Sequence, residues 1–187
     1  MKKIVFSLLL ACGLMASETG FYVGIDVGKA NNSDKSTAEG TNFKYSNDYK
    51  DIKLKLGLEA DEVTNIQLTY TRITYDNGVF YGSTGTTLQE VGIDLIKEFE
   101  VTSSIFPFLK IGLGYGKMDS EHSVMGSVNE MSSNIGAGLS VKLIDHVSAH
   151  VGADYVYRHW NNVSDGSFVY ETRGSAIKPY VGLNFEF

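Results

Sequence analysis

Apolar and polar residues alternate with a period of two along eight segments of the chain. The last segment, 177–187, shows this alternation most strictly. Its apolar face comprises Ile177, Pro179, Val181, Leu183, Phe185 and Phe187. Its polar face comprises Lys178, Tyr180, Gly182, Asn184 and Glu186. Strict alternation predicts an extended strand with one face against an apolar medium and the other against a polar one.

The other seven segments follow the same pattern at intervals along the chain. They span 21–28, 51–59, 66–71, 90–95, 109–116, 134–142 and 150–158. Short connections are predicted around 61–65, 100–106 and 144–146. Long connections, rich in Ser, Asn, Asp and Gly, are predicted around 29–48, 77–85, 119–130 and 161–172. Short and long connections alternate, as periplasmic turns and surface loops do in outer-membrane barrels. The even strand number predicts that both chain ends lie on the periplasmic side.

Three stretches carry a resemblance to a known family. They are Gly20-Phe21-Tyr22-Val23-Gly24, Asp154-Tyr155-Val156-Tyr157-Arg158 and Gly182-Leu183-Asn184-Phe185-Glu186-Phe187. With them the chain resembles the small outer-membrane β-barrel family that includes the OmpA transmembrane domain, OmpX and the opacity proteins. The resemblance implies an all-β fold, an eight-stranded antiparallel transmembrane β-barrel with up-and-down meander topology, in the cell outer membrane. We see no peptidoglycan-binding region, so a wall anchor is not implied.

A soluble barrel or sandwich is the alternative fold, because the same alternation serves both. A lipocalin-like barrel or a periplasmic β-sandwich would bury the apolar face and expose the charges. The polar face carries many glycines beside large neighbours such as Tyr22 and Tyr180. A narrow lumen requires that combination, so we favour the membrane barrel.

The first 17 residues have the features of a bacterial secretory signal peptide. Lys2 and Lys3 precede an apolar run at 4–15, which is shorter than the roughly 20 residues that a spanning helix needs. We therefore expect a signal peptide at 1–17 and a barrel domain at 18–187. Cys12 leaves a lipoprotein cleavage box as an alternative, and in either case no cysteine remains in the folded body.

Composition narrows the function classes. Removing Lys2 and Lys3 from 16 basic residues leaves 14 against 22 acidic ones, a net charge of −8 that argues against a nucleic-acid partner. A mean hydropathy of −0.08 without a long apolar run after the signal excludes helical membrane spans. Abundant Gly (20) and Tyr (11) with scarce Pro (2) suit long twisted strands.

The polar face predicts a nearly balanced set of charges inside the barrel. The predicted lumen charge network comprises Asp26, Lys53, Lys55, Glu59, Glu90, Asp94, Lys110, Lys142, Asp154, Arg158, Lys178 and Glu186, and Glu98 shares their face. Charges enclosed in a narrow barrel must be paired, because desolvating a lone ion is costly. We expect salt bridges that fill the lumen, since eight strands leave room only for side chains. A selective charged pore is the alternative.

Candidate chemistry is sparse, and we expect no enzyme, cofactor or metal site. His159-Trp160-Asn161 loosely resembles the His-x-Ser-Asn patch of lipid A deacylases, but Asn161 stands where the nucleophilic Ser is needed. His146-Val147-Ser148 has the spacing in a periplasmic turn, on the wrong side of the membrane. Interfacial anchoring by His159 and Trp160 is the preferred interpretation. The four histidines are scattered, at His122, His146, His150 and His159.

Aromatic residues at the strand ends suggest a membrane girdle. This set comprises Phe43, Tyr45, Phe80, Tyr81, Trp160, Phe168 and Tyr170. The alternative is that the outermost ones contact a host surface, a phage or another cell. At the other end, Gly182, Phe185 and Phe187 resemble the C-terminal signal that the barrel assembly machinery recognises.

The function expected from these patterns is structural and interactive. It combines membrane integrity, contact with outer-membrane lipid and lipopolysaccharide, and adhesion or ligand contact through surface loops. A narrow porin for ions or small solutes is the second hypothesis. A lipid A-modifying enzyme is a distant third.

Overall fold

The computed structural model describes residues 20–38, 41–61, 63–79, 87–119, 127–164 and 169–187. Ten strands lie in these ranges. They are β1 (Phe21–Ala38), β2 (Thr41–Ser46), β3 (Tyr49–Asp61), β4 (Thr64–Tyr75), β5 (Thr87–Glu98), β6 (Ile105–Asp119), β7 (Ser127–Ile144), β8 (Val147–Trp160), β9 (Val163–Ser164) and β10 (Val169–Glu186). Within these ranges no helix is long and apolar enough to cross a membrane.

Eight of the strands close into an antiparallel barrel. β1, β3, β4, β5, β6, β7, β8 and β10 pair in that order, and β10 pairs with β1 to complete the circle. The closing register runs from Tyr22 opposite Glu186 to Ala38 opposite Tyr170. The predicted up-and-down barrel is therefore confirmed. We call the end that carries Phe21 and Phe187 the terminal end and the opposite end the loop end.

The strands are longer than predicted, chiefly at the loop end. The connection predicted around 29–48 is largely strand, because β1 continues to Ala38 and β2 folds back along it with Ser33 opposite Ser46. The loops predicted around 119–130 and 161–172 likewise contain the start of β7, all of β9 and the start of β10. These polar segments form strands because each is paired with a neighbouring strand. Their composition alone did not indicate this pairing.

The apolar face of the barrel wall points outward. Leu113 is 64 % exposed, Val91 54 % and Leu54 52 %, whereas inward-facing Lys53 is 5 % exposed. A soluble barrel or sandwich would have the opposite arrangement. The outer surface therefore forms a continuous apolar belt, which requires lipid around it, and the fold is that of a transmembrane barrel.

Above the apolar belt, toward the loop end, the polarity of the two faces reverses. On β4, Tyr70 is the last large apolar residue that faces outward; Arg72 then faces outward and Ile73 inward. The same exchange, with the polar residue outside and the apolar one inside, occurs at Lys29 and Ala30, Lys50 and Tyr49, Gln89 and Leu88, Lys117 and Met118, and His159 and Trp160. The outside of the wall thus changes from lipid-compatible to water-compatible at one level around the barrel.

An apolar cluster occupies the lumen just above this level, and the buried polar residues Asn32 and Asp34 lie further along β1. It comprises Ala30, Tyr49, Ile73, Tyr75, Val79, Leu88, Met118, Val128, Trp160 and Ala176. The ring of Tyr75 lies 5.2 Å from that of Tyr49 and 6.4 Å from that of Trp160, between centroids. Trp160 is fully buried, so the prediction that it belongs to an interfacial girdle was wrong. β8 continues past Arg158, and Trp160 lies on the same inward face.

Glycines make room for the large residues of the lumen. A β-carbon at Gly57 would collide with the ring of Tyr22, and one at Gly152 would collide with Tyr180. At the terminal end, the rings of Phe21 and Phe187 stack with centroids 5.1 Å apart.

Some predictions lie outside the described residues. They concern the signal peptide at 1–17, Cys12, Phe80, Tyr81, His122 and Phe168. Phe43, Tyr45 and Tyr170 lie in described strands, but their side chains do not belong to the described part.

Candidate functional site: the charged lumen

Below the apolar cluster the lumen is crossed by clusters of buried charges. Each charged residue occupies an inward position of a strand, and most of them lie between two apolar residues that face outward. The pattern of lipid-facing residues therefore also determines which positions place a charge in the lumen. Four clusters can be distinguished by their contacts.

The first cluster joins β1, β3 and β8 around Asp26. Its Oδ1 lies 2.6 Å from Lys55 Nζ and 2.7 Å from His150 Nε2. Lys55 Nζ also lies 2.9 Å from His150 Nε2. All three side chains are nearly buried, so the carboxylate gives the lysine a partner that water cannot supply.

The second cluster centres on Asp94 of β5. Lys53 Nζ lies 3.2 Å from Asp94 Oδ2, and Gln67 Nε2 donates to the same oxygen at 2.8 Å. Asn134 Nδ2 donates to Oδ1 at 3.1 Å. Both carboxylate oxygens therefore have partners, which come from the neighbouring strand β4 and from β3 and β7, each two strands away from β5. Tyr22 extends the network by donating to Gln67 Oε1 at 3.1 Å.

The third cluster links two lysines through Asp154 of β8. Lys110 Nζ lies 2.8 Å from Asp154 Oδ2 and donates to Tyr180 Oη at 3.0 Å. Lys178 Nζ lies 2.6 Å from Asp51 Oδ2 and 3.9 Å from Asp154 Oδ2. These contacts tie β3, β6, β8 and β10 together across the lumen.

The fourth cluster lies next to the apolar cluster and contains one cation and two carboxylates. Arg158 Nη2 lies 3.5 Å from Glu90 Oε2, and Arg158 Nε lies 3.9 Å from Glu130 Oε2. Arg158 Nη1 donates to Tyr49 Oη at 2.9 Å, with the guanidinium 4.9 Å from the ring centroid. Tyr49 belongs to both layers, so it joins the charged lumen to the apolar cluster.

The terminal end of the lumen contains a polar cavity of about 190 Å³. Glu59, Glu98, Lys142 and Glu186 line its outer part and are partly or fully exposed. Among the described residues no ion pair joins them. The structure therefore places nine members of the predicted network in ion-paired clusters. The other three, Glu59, Lys142 and Glu186, lie at the outer part of this cavity.

Three ion-paired members of the clusters were absent from the predicted network. Asp51 and His150 lie on polar faces that the alternation identified, and only their ion pairs were missed. Glu130 was assigned to a loop, although β7 begins before it at Ser127. Extending the alternation of β7 toward its start would have placed Glu130 inside the barrel.

The candidate catalytic residues do not converge. His159 faces outward and Trp160 inward on the same strand. His146 is exposed in the turn before β8, whereas Ser148 is buried in the lumen. In the part of the chain that the structure describes, no group of three or more His, Cys, Asp or Glu could hold a metal ion.

Sequence comparison found no match, whereas comparison of structures found proteins with a similar fold. No protein-family model matches the chain, and no curated protein matches it. The structure is similar to Neisserial surface protein A (NspA), with a TM-score of 0.59 and 16 % identity over 89 % of this chain and 97 % of that one.

Two solved structures from Pseudomonas aeruginosa are also similar. The outer membrane protein OprG has a TM-score of 0.53 and 11 % identity, over 90 % of this chain and 95 % of that one. The N-terminal β-barrel domain of OprF has a TM-score of 0.52 and 14 % identity, over 88 % and 97 %. At these identities the likeness establishes a shared fold, which agrees with the family resemblance seen in the sequence.

Proposed function

The chain has the fold of a small outer-membrane β-barrel, and we propose that it resides in the outer membrane as a closed scaffold with a structural and surface-interaction role. The terminal end then faces the periplasm and the loop end the cell exterior. The observation that carries the proposal is the combination of an outward apolar belt with a lumen occupied by two layers of side chains. Such a barrel presents its loop end and outer surface to partners and offers its interior to none.

A narrow porin is the second candidate. The polar cavity at the terminal end favours it, because that cavity is open to polar solutes. A solute would then have to cross the ion-paired clusters and the apolar cluster in series. Ions pay a high desolvation cost in an apolar constriction, so the scaffold role is supported better. Among the residues that the structure describes, no assembled catalytic group supports lipid A modification.

The chain termini belong to the same proposal. A signal peptide at 1–17 would direct export, and Gly182, Phe185 and Phe187 would present the C-terminal assembly signal. Phe185 and Phe187 both face outward, with Phe187 67 % exposed. Deleting Phe187 should lower the amount of folded protein in the outer membrane at early times after induction. Unchanged assembly kinetics would remove this part of the proposal.

A deletion strain tests the role of the protein in cells. We expect greater sensitivity to detergents and large antibiotics, unchanged uptake of small solutes and an unchanged lipid A mass spectrum. A plasmid copy of the wild-type gene should restore the barrier. Slower uptake of a small solute without loss of the barrier would favour the porin, and an altered lipid A mass would favour the enzyme.

A further inference from the structure

One outward surface at the loop end carries paired cations. Lys29 of β1 lies directly opposite Lys50 of β3, and all outward neighbours below them are apolar. Six residues further along β1, Lys35 lies opposite Lys44 of β2 on one side and Arg173 of β10 on the other. These five side chains are exposed. We call Lys29, Lys35, Lys44, Lys50 and Arg173 the outer basic face.

Like charges directly opposite each other destabilise a sheet. Within the described residues, none of the four lysines is joined to a carboxylate by an ion pair, and only Arg173 has one, with Glu171. The repulsion therefore remains in the free protein, in a chain whose net charge is −6. A local conflict of this kind, in which the described residues offer the four lysines no carboxylate partner, is typical of a binding surface.

Hydroxyl groups lie between the two levels of cations. Ser33 of β1 lies opposite Ser46 of β2 and Ser175 of β10, and all three face outward. Lys29 and Lys35 are about 20 Å apart along β1, from six residues of extended strand. The surface thus presents, from the belt upward, apolar residues, cations, hydroxyls and cations again.

We propose that the outer basic face binds a phosphorylated glycolipid of the outer leaflet, of the lipopolysaccharide class. This inference rests on the proposed function, because it requires the loop end to face the cell exterior. Acyl chains would lie against Val27 and Ile52, both about half exposed. Phosphates near the acyl chains would meet Lys29 and Lys50, sugar rings would lie over the serines, and outer phosphates would meet Lys35, Lys44 and Arg173.

Native mass spectrometry of the refolded barrel, titrated with purified lipopolysaccharide, tests the proposal. The variants K35Q/K44Q and K29Q/K50Q each remove two cations of the outer basic face. K97Q/K142Q is the matched control, because it removes two exposed cations near the terminal end. Two further ligands are the dephosphorylated lipopolysaccharide and the deacylated, phosphorylated oligosaccharide. Heat-modifiable migration in gels and insertion into liposomes verify that every variant is folded.

We expect each variant of the outer basic face to weaken binding about tenfold or more, with the control close to the wild type. Dephosphorylation should weaken binding to the wild type to a similar degree. Equal affinities of K35Q/K44Q and the wild type, or equal affinities for the two lipid forms, would overturn the inference. A deacylated oligosaccharide that binds as tightly as the intact lipid would overturn the choice of a membrane lipid. If the barrel inserts but binds both lipid forms equally, only this inference is wrong. If the barrel does not insert into liposomes, the proposed function is contradicted.

Discussion

The lower and upper parts of the barrel consist of the same strands but have opposite polarity inside and outside. The boundary between them is the level at which Lys29, Lys50, Arg72 and Lys117 face outward. Below it, apolar side chains meet lipid and charges are enclosed. Above it, cations face outward and an apolar cluster is enclosed. The lower part is a membrane barrel, and the upper part has the organisation of a small soluble barrel. The change in surroundings, rather than a change in backbone, decides which face carries the apolar residues.

The two parts also differ in what holds their interiors together. Removing one partner of a buried ion pair leaves an uncompensated charge, whereas removing an apolar side chain leaves a cavity. The lower lumen should therefore be sensitive to which charges are present, and the upper lumen to how much volume is filled. The following variants test this difference.

The largest effect is expected from Arg158→Met, which removes the cation shared by Glu90 and Glu130. Leaving these carboxylates without it should lower the free energy of unfolding by about 3–5 kcal/mol. Urea unfolding in lipid vesicles measures the loss. Arg72→Met, at an exposed position, is the control and should change little.

A rescue variant separates charge from volume at the same site. Adding Glu90→Gln and Glu130→Gln to Arg158→Met should restore most of the stability, because no uncompensated charge remains. If the triple variant were as unstable as Arg158→Met alone, the ionic account of this cluster would be wrong.

A smaller effect is expected from Leu88→Ala in the apolar cluster. It should cost about 2–3 kcal/mol, in the lower part of the range for buried leucines. Leu113→Ala is the matched control on the lipid face, where lipid tails can fill the space, and should cost clearly less. Equal losses in the two variants would mean that the upper lumen is not tightly packed.

The last of these tests uses the wild-type protein, because Trp160 is the only tryptophan in the chain and reports on its own position by fluorescence. Its fluorescence should resist quenching by brominated phospholipids, since the indole lies in the lumen rather than against lipid. Tyr155→Trp combined with Trp160→Phe places the only indole on the lipid face of the same strand and should be quenched strongly. Strong quenching in the wild type would mean that Trp160 contacts lipid, as the predicted aromatic girdle requires.

Alternation identified the strands and the two faces of each, because lipid and lumen differ strongly in polarity. The glycines beside large residues on the polar face were needed to predict that this face lines the lumen. It failed where the surroundings change. Trp160 lies two residues after Arg158, so its inward direction followed from the alternation of β8, but β8 was expected to end at Arg158. Beyond the membrane, an apolar residue no longer indicates the outward face.

Contacts across the lumen could not be read from the sequence. His150 of β8 meets Asp26 of β1, although β10 lies between these strands in the barrel wall. Which cation meets which carboxylate depends on strand tilt and on glycines such as Gly182, whose missing side chain leaves room for Asp26 and His150. The hairpin of β1 and β2 was missed for a different reason, since its Ser- and Asn-rich sequence is equally compatible with a loop.

Single-channel recording in a planar bilayer tests most directly the claim that the two layers close the lumen. The refolded protein is added to one side, and insertion is verified by protease protection of the inserted chain. With both layers in place, we expect no stepwise current after insertion has been verified. Steady, reproducible current steps would contradict it, and the protein would then be a narrow porin.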